Sequence, residues 1–239
     1  MAVAAAAVGG CLPAPATSEG RDIAGLYAAF LAVAAVVAVV VLGLATWSLL
    51  RDREGRRTDL PRQTRGHTGL ELVWTAVPAV TIGILFLLTL AVLARVDDVS
   101  PADDANAPRT EVDVTAFRWG WTFTYPGTDV TVSGSGLPGP EVVVPVGEPI
   151  VFRLHAADVV HSFYVPLFLF KRDVVPGREN VFEVTVEEAG SYGGQCAEFC
   201  GLYHSRMPFT VRAVDRTAFD AWLASQPRSG ASASPGASQ

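Results

Sequence analysis

Cys196-Ala-Glu198-Phe-Cys200-Gly-Leu-Tyr-His204-Ser-Arg-Met207 places two thiols, an imidazole and a thioether within twelve positions. A further histidine stands upstream in Asp158-Val-Val-His161-Ser-Phe. Thiolate, imidazole and thioether are the donors that soft or borderline transition metals prefer, copper above all. A zinc ribbon would want two residues between paired cysteines, and three separate these. A covalently attached c-type haem would need C-x-x-C-H, which does not occur. Outside the cytoplasm two such cysteines can also close a disulfide. The ordered His204 and Met207 directly behind them favour a metal.

Around this stretch the chain reads as β structure. From Thr110 onward, short runs rich in Val, Phe and Thr are separated by Gly and Pro: Val112–Trp119, Val130–Val132, Val142–Val144, Ile150–Leu154, Val181–Val186 and Phe209–Ala213. Turn signals fall at Pro126-Gly127, Gly134-Ser-Gly136, Pro138-Gly139 and Pro176-Gly177. Many short strands at regular spacing predict an antiparallel sandwich or barrel. Residues Asp215–Ser225 carry helical spacing in Phe219, Trp222 and Leu223, with Asp215 as N-cap. We read 97–225 as one extracytoplasmic domain. The Ser/Gly/Ala/Pro-rich tail, 226–239, is expected to be disordered, having nothing to bury.

The other half of the reading is apolar. Half of the 239 residues are hydrophobic and mean hydropathy is +0.32, too high for an ordinary soluble domain. Two long apolar runs, about 23–50 and 70–95, each exceed the ~20 residues needed to cross a bilayer. The loop between them, 51–69, holds six arginines (Arg51, Arg53, Arg56, Arg57, Arg62 and Arg65). The positive-inside rule puts that loop in the cytoplasm and both ends of the chain outside. Segment 1–22 reads as a signal-like stretch followed by an exposed linker. Small residues before Cys11 look like the end of a bacterial lipoprotein signal, so Cys11 is a candidate lipid anchor. No basic residue precedes the stretch and its apolar part is short, which leaves open that the true start lies upstream or that Cys11 is incidental. From Asp97 onward 18 acidic residues face 10 basic ones, a net −8. Such a balance argues against nucleic acid and favours a basic protein partner.

The ligand stretch resembles the binuclear copper centre of the cytochrome c oxidase subunit II family. Three other segments share the resemblance: Phe117-Arg-Trp119-Gly-Trp121-Thr-Phe-Thr-Tyr125-Pro, Glu71-Leu-Val-Trp74-Thr-Ala-Val-Pro78, and Val175-Pro-Gly177-Arg178. The resemblance runs from about Ile23 to Leu223. It implies a two-helix transmembrane hairpin followed by a cupredoxin-like Greek-key β-barrel. It also implies two copper ions held by His161, Cys196, Cys200, His204, Met207 and the backbone carbonyl of Glu198. The Glu198 side chain would help hold a magnesium ion shared with subunit I, and haem would belong only to the partner subunit. Trp119 would be the electron-entry residue, Asp158 a docking contact for cytochrome c, and Glu71 the mouth of a proton channel. His67 and His155 lack any motif and read as ordinary surface residues.

The implied function is that of subunit II of a bacterial plasma-membrane oxidase. It would take electrons from a soluble or tethered cytochrome c and pass them to haem in subunit I, with subunit III alongside. Oxygen would be reduced in subunit I, with proton pumping. Quinol-oxidase relatives lose the copper ligands, all of which this chain has. A copper-bearing subunit of a nitric oxide reductase and a copper-binding assembly protein are the alternatives. Two positions depart from the family: it often has an acidic residue where Thr124 stands, and usually Gln where Arg118 stands. Both departures thin the negative charge near Trp119.

Overall fold

The computed structural model describes residues 12–51, 63, 66–99 and 109–227. Cys11, the loop arginines from Arg53 to Arg65 and the tail from Arg228 lie outside the described residues. The chain divides into two compact units. One holds the helices over Gly25–Ala94; the other holds Leu12–Ala24 and the chain from Arg95 onward.

In the helical unit, α1 spans Ser18–Arg51 and α2 spans Thr68–Val96. Both are long and apolar enough to cross a membrane, and neither apolar window is buried within the protein. A helix apolar on every face needs an apolar solvent around it. His67 caps α2, its Nδ1 accepting from Leu70 N–H at 3.0 Å. Glu71 reaches back one turn and accepts from His67 N–H at 3.3 Å. The helix continues through Pro78, whose ring nitrogen has no hydrogen to donate. Thr75 and Thr81 hydroxyls donate to the carbonyls of Glu71 and Val77 nearby.

Helix α1 begins five residues earlier than its apolar run suggested, because Thr17 is its cap. The Thr17 hydroxyl accepts from Gly20 N–H at 3.0 Å, satisfying one of the four free donors of the first turn. The preceding segment is not an exposed linker. Ala16 and Thr17 are buried. Ala16 N–H donates to Leu167 O, Glu187 N–H donates to Ala16 O, and Thr17 bridges Val186. Glu19 accepts from Thr185 N–H at 3.0 Å, and Arg21 pairs with Glu187. Small, weakly polar side chains look like a linker in sequence, yet they let a backbone lie close against the end of an edge strand and satisfy its open groups.

The second unit is a sandwich of two five-stranded sheets. One has the order β3(Thr131–Ser135), β2(Gly120–Thr124), β1(Thr110–Phe117), β5(Pro149–Ala156), β8(Asn180–Thr185). The other runs β4(Glu141–Pro145), β10(Pro208–Val214), β9(Gly190–Cys196), β6(His161–Val165), β7(Phe170–Val174). Most pairs are antiparallel, but β1 lies parallel to β5 and β4 parallel to β10. Such a mixture needs connections that cross between the sheets, as in a cupredoxin-like Greek key. Strict alternation along β1 buries Val112, Val114 and Ala116, the period-two pattern of a strand with one face on a core. That core is aromatic. Phe163 packs on Phe152, Phe182, Phe209 and Trp121, with ring centroids 4.5–6.1 Å apart. Helix α3(Arg216–Ser225) follows, and Asp215 caps it by accepting from Ala218 N–H at 2.9 Å.

Four strands escaped the pattern. β2 was read only as part of an aromatic motif, β6 looks like a ligand motif, β7 carries Lys171, Arg172 and Asp173, and β9 has glycines where strands prefer branched residues. The glycine at 194 is required by packing. A Cβ there would stand 2.3 Å from the Phe209 ring across the β9–β10 ladder.

Candidate metal centre

His161 opens β6, Cys196 closes β9, and the loop between β9 and β10 supplies the rest. The pairing of β6 with β9 sets Phe163 opposite Cys196, bringing His161 to the cysteines from 35 residues away in the chain. The loop is held by backbone bonds: Cys196 N–H to Met207 O, Ala197 N–H to Ser162 O, and His204 N–H to Gly201 O. Gly201 sits at φ +116°, and a Cβ there would meet the Trp119 indole at 3.3 Å.

Six donors converge. Cys196 Sγ lies 3.8 Å from His161 Nδ1, 3.3 Å from Glu198 O and 3.9 Å from Cys200 Sγ. Cys200 Sγ lies 3.6 Å from His204 Nδ1 and 3.9 Å from Met207 Sδ. First-row metal bonds of about 2.0–2.3 Å put neighbouring donors of a tetrahedral shell about 3.3–3.8 Å apart. The spacing therefore fits a metal. The two sulfurs are not bonded to each other, since a disulfide needs about 2.05 Å. His161, Cys196, Cys200 and Met207 are all buried, while His204 is half-buried. A cleft of about 250 Å³, lined in part by Leu137, Gln195, Ser205 and Pro208, opens beside Cys196, His204 and Met207.

The electrostatics favour one thiolate readily and a second with difficulty. Burial disfavours the charged form of Cys196, but hydrogen bonds from His161, from nearby backbone groups and from His204 outweigh it and lower its pKa. Burial and the neighbouring Cys196 charge raise that of Cys200. A cation between them would remove that second cost.

Two indoles brace the loop. Trp121, fully buried, donates from Nε1 to Met207 O at 3.1 Å. Trp119, half-buried, donates from Nε1 to Cys200 O at 3.2 Å and meets the Tyr203 ring edge-on at 4.9 Å. The bracing by Trp121 was not legible in the sequence, because a core tryptophan and a loop brace look alike there.

Asp158 is occupied internally. Its Oδ1 faces His161 Nε2 at 2.9 Å and accepts from Val159 N–H at 2.7 Å. Its Oδ2 accepts from Arg118 N–H at 2.8 Å and from Arg118 Nε at 3.2 Å. Burial pushes its pKa up, but these bonds, led by His161, hold it well below the usual carboxylate range. For His161, burial pulls the pKa down and the bonds to Cys196 and Asp158 more than reverse it. His155 pairs with Glu179 at 3.3 Å on the outer face of β5, and His67 caps α2; neither joins the cluster. Glu71 lies in the helical unit.

Outside the helices, the exposed large apolar side chains among the described residues are Leu137, Val160, Phe199, Leu202 and Tyr203. Phe199 and Leu202 are 78% and 79% exposed. All five lie on loops bordering the donor cluster or its cleft, or flank His161.

Residues 139–214 match the family described as Cytochrome C oxidase subunit II, periplasmic domain, and residues 5–94 match its transmembrane domain. A probable cytochrome c oxidase subunit 2 from Streptomyces coelicolor is 32% identical over 89% of this chain and 77% of its own length. Another, from Nocardia farcinica, is 33% identical over 88% of this chain and 72% of its own. The crystal structure of the periplasmic domain of subunit II of cytochrome oxidase from Bradyrhizobium japonicum is 30% identical, covering 54% of this chain and 96% of that one, at a TM-score of 0.48. The family is the copper-binding subunit of the membrane-bound haem-copper oxidases, and the cluster of His161, Cys196 and Cys200 is in keeping with it. With matches over both the helical and the β unit and relatives above 30% identity along most of its length, the chain belongs to the cytochrome c oxidase subunit II family.

Proposed function

We propose that this chain is the electron-entry subunit of a cytochrome c oxidase, with two copper ions held by His161, Cys196, Glu198 O, Cys200, His204 and Met207. The observation that carries this is the convergence of six soft or neutral donors at ligand spacing. Six donors exceed what one four-coordinate ion needs, and two sulfurs between the imidazoles suit a shared pair. The thiolates of Cys196 and Cys200, with both imidazoles, would hold the copper, which when bound would supply one-electron exchange with little rearrangement.

The protein's own part is to hold that geometry and to keep water out. Trp121 and Trp119 tie the carbonyls of Met207 and Cys200, so the loop keeps its shape whichever charge the centre carries. We assign electron entry from a cytochrome c to Trp119, which is half-buried and bonded through Nε1 to the Cys200 carbonyl. The apolar rim of Val160, Phe199, Leu202 and Tyr203 suits partner proteins better than water. We assign it to contacts with the donor cytochrome, soluble or tethered, and with subunits I and III. With Asp158 bonded to Arg118 and Thr124 bonded to Thr131, that rim offers little charge for long-range steering. The sequence reading of Asp158 as a docking contact thus rests on whatever part of the carboxylate a partner can still reach. The Glu198 side chain is assigned to magnesium at the subunit I border, a role a hard carboxylate oxygen fits.

We read the chain as a bacterial plasma-membrane protein with its β domain outside, an orientation the arginine-rich loop supports. Glu71 is then at the cytoplasmic end of α2 as a proton collector. The test is metal content. The oxidase complex purified with this chain should contain two copper ions per copy of it and show the visible absorption of a copper–thiolate pair. One copper per chain, or zinc without visible absorption, would overturn the reading.

A further inference from the structure

The two imidazoles of the cluster differ in what stands behind them. His161 is fully buried, presents Nδ1 to Cys196 and has the Asp158 carboxylate 2.9 Å behind Nε2. His204 is half-buried. Its ring lies against Phe199, and among the described residues no carboxylate stands within ion-pair distance of it. Behind Asp158 comes one more group, the exposed guanidinium of Arg118, bonded to the opposite carboxylate oxygen through Nε while the Arg118 backbone N–H holds that same oxygen.

We propose that Arg118, Asp158 and His161 form a relay in which Asp158 is the positioning residue for the metal ligand His161 and Arg118 sets how strongly it acts. This rests on the reading of the cluster as a copper centre. A carboxylate accepting from Nε2–H fixes the ring with Nδ1 free as a donor, and it makes that nitrogen more basic. A more basic donor favours the oxidised metal. The cation on the far side of the carboxylate draws charge away from the ring and weakens the push. Asp158 therefore serves the ligand beneath it more than the surface above it. A residue on the docking face, Arg118, is linked to the centre through two side chains. A neutral side chain at position 118 would leave the carboxylate at full strength.

The relay predicts opposite signs for its two members. In the purified oxidase complex, Asp158→Asn should raise the copper midpoint potential and lower copper affinity by about tenfold, the lower end of what loss of such an outer partner costs. Arg118→Gln should lower the potential, by less, and leave copper content unchanged. The double variant should behave like Asp158→Asn alone, since Arg118 acts only through the carboxylate. Spectroelectrochemistry of the copper band reads the potential, and electron paramagnetic resonance reads the nitrogen coupling of His161. Asp158→Glu should restore part of the shift.

If Asp158→Asn does not assemble, Arg118→Gln, an exposed change, still decides the sign. A potential that moves the same way in both single variants, or does not move in Arg118→Gln, would sink the relay while the copper content of the parent complex still stands. A parent complex with no copper would remove the copper reading, and the relay with it.

Discussion

The helices and the sandwich use the same residues in opposite ways. Along α1 and α2, Val, Leu and Phe point outward and stay uncovered, Val39 at 72% and Leu87 at 65% exposure. In the sandwich Val142, Val143 and Val144 are fully buried and the phenylalanines close on one another. Apart from the one bond that Pro78 removes, the helix interiors satisfy their backbone groups within one segment, which lipid demands. The sandwich satisfies its own by pairing strands far apart in the chain. Irregular backbone, and with it a cluster of metal donors, can be built only in the second unit, where buried side chains such as Trp121 take up the free carbonyls.

That contrast can be broken at the donor cluster first. Cys200→Ser should abolish copper binding completely, because every other donor of the loop lies within 3.9 Å of that sulfur or of its neighbour. Met207→Leu should leave copper bound and change its potential, a thioether being a weaker donor than a thiolate or an imidazole. Equal copper loss in the two variants, read by elemental analysis, would erase that ranking.

Next comes the framework. Trp121→Ala should destabilise the β domain by about 3–5 kcal/mol, as for large aromatic deletions in cores, and should loosen the ligand loop as well. Denaturant unfolding followed by near-ultraviolet circular dichroism measures the first, and copper retention under dialysis the second. Gly194→Ala should cost about 1–3 kcal/mol, because the new methyl meets the Phe209 ring. A midpoint matching the parent's would mean the ring moves aside freely.

The helices should answer differently. Glu71→Gln should slow oxygen consumption while leaving copper reduction by the donor cytochrome intact, since the change lies in the membrane unit. Unchanged turnover would leave Glu71 as the helix-end acceptor of His67 N–H. Smallest of all, Val40→Leu on the exposed face of α1 should stay within about 0.5 kcal/mol of the parent. The like change at Val143 should cost about 1–3 kcal/mol through overpacking. Comparable effects at both sites would mean the α1 face is covered by protein.

Read along the chain, the helices were the clearest part. An apolar run needs only its own length and its flanking charges to be recognised, and the error was confined to the ends, where Thr17 and His67 act as caps. The alternating strands β1, β5, β8 and β10 were also visible, since a period of two is written locally. The donors clustered in Cys196–Met207 were legible for the same reason: their chemistry is in the residue types and their spacing is short.

What the tertiary structure alone decided is everything that depends on pairs remote in sequence. β2, β6, β7 and β9 gain their strand character from their neighbours. Residues 12–17 become part of the sandwich only because an edge near Val186 is open to receive them. Asp158 backs His161 from only three residues away, but that Arg118 turns onto that carboxylate from 40 residues away follows from the parallel pairing of β1 with β5. Residue types announce which donors a chain owns. Which groups stand behind those donors is set by strand register, and register is a property of the assembled sheets.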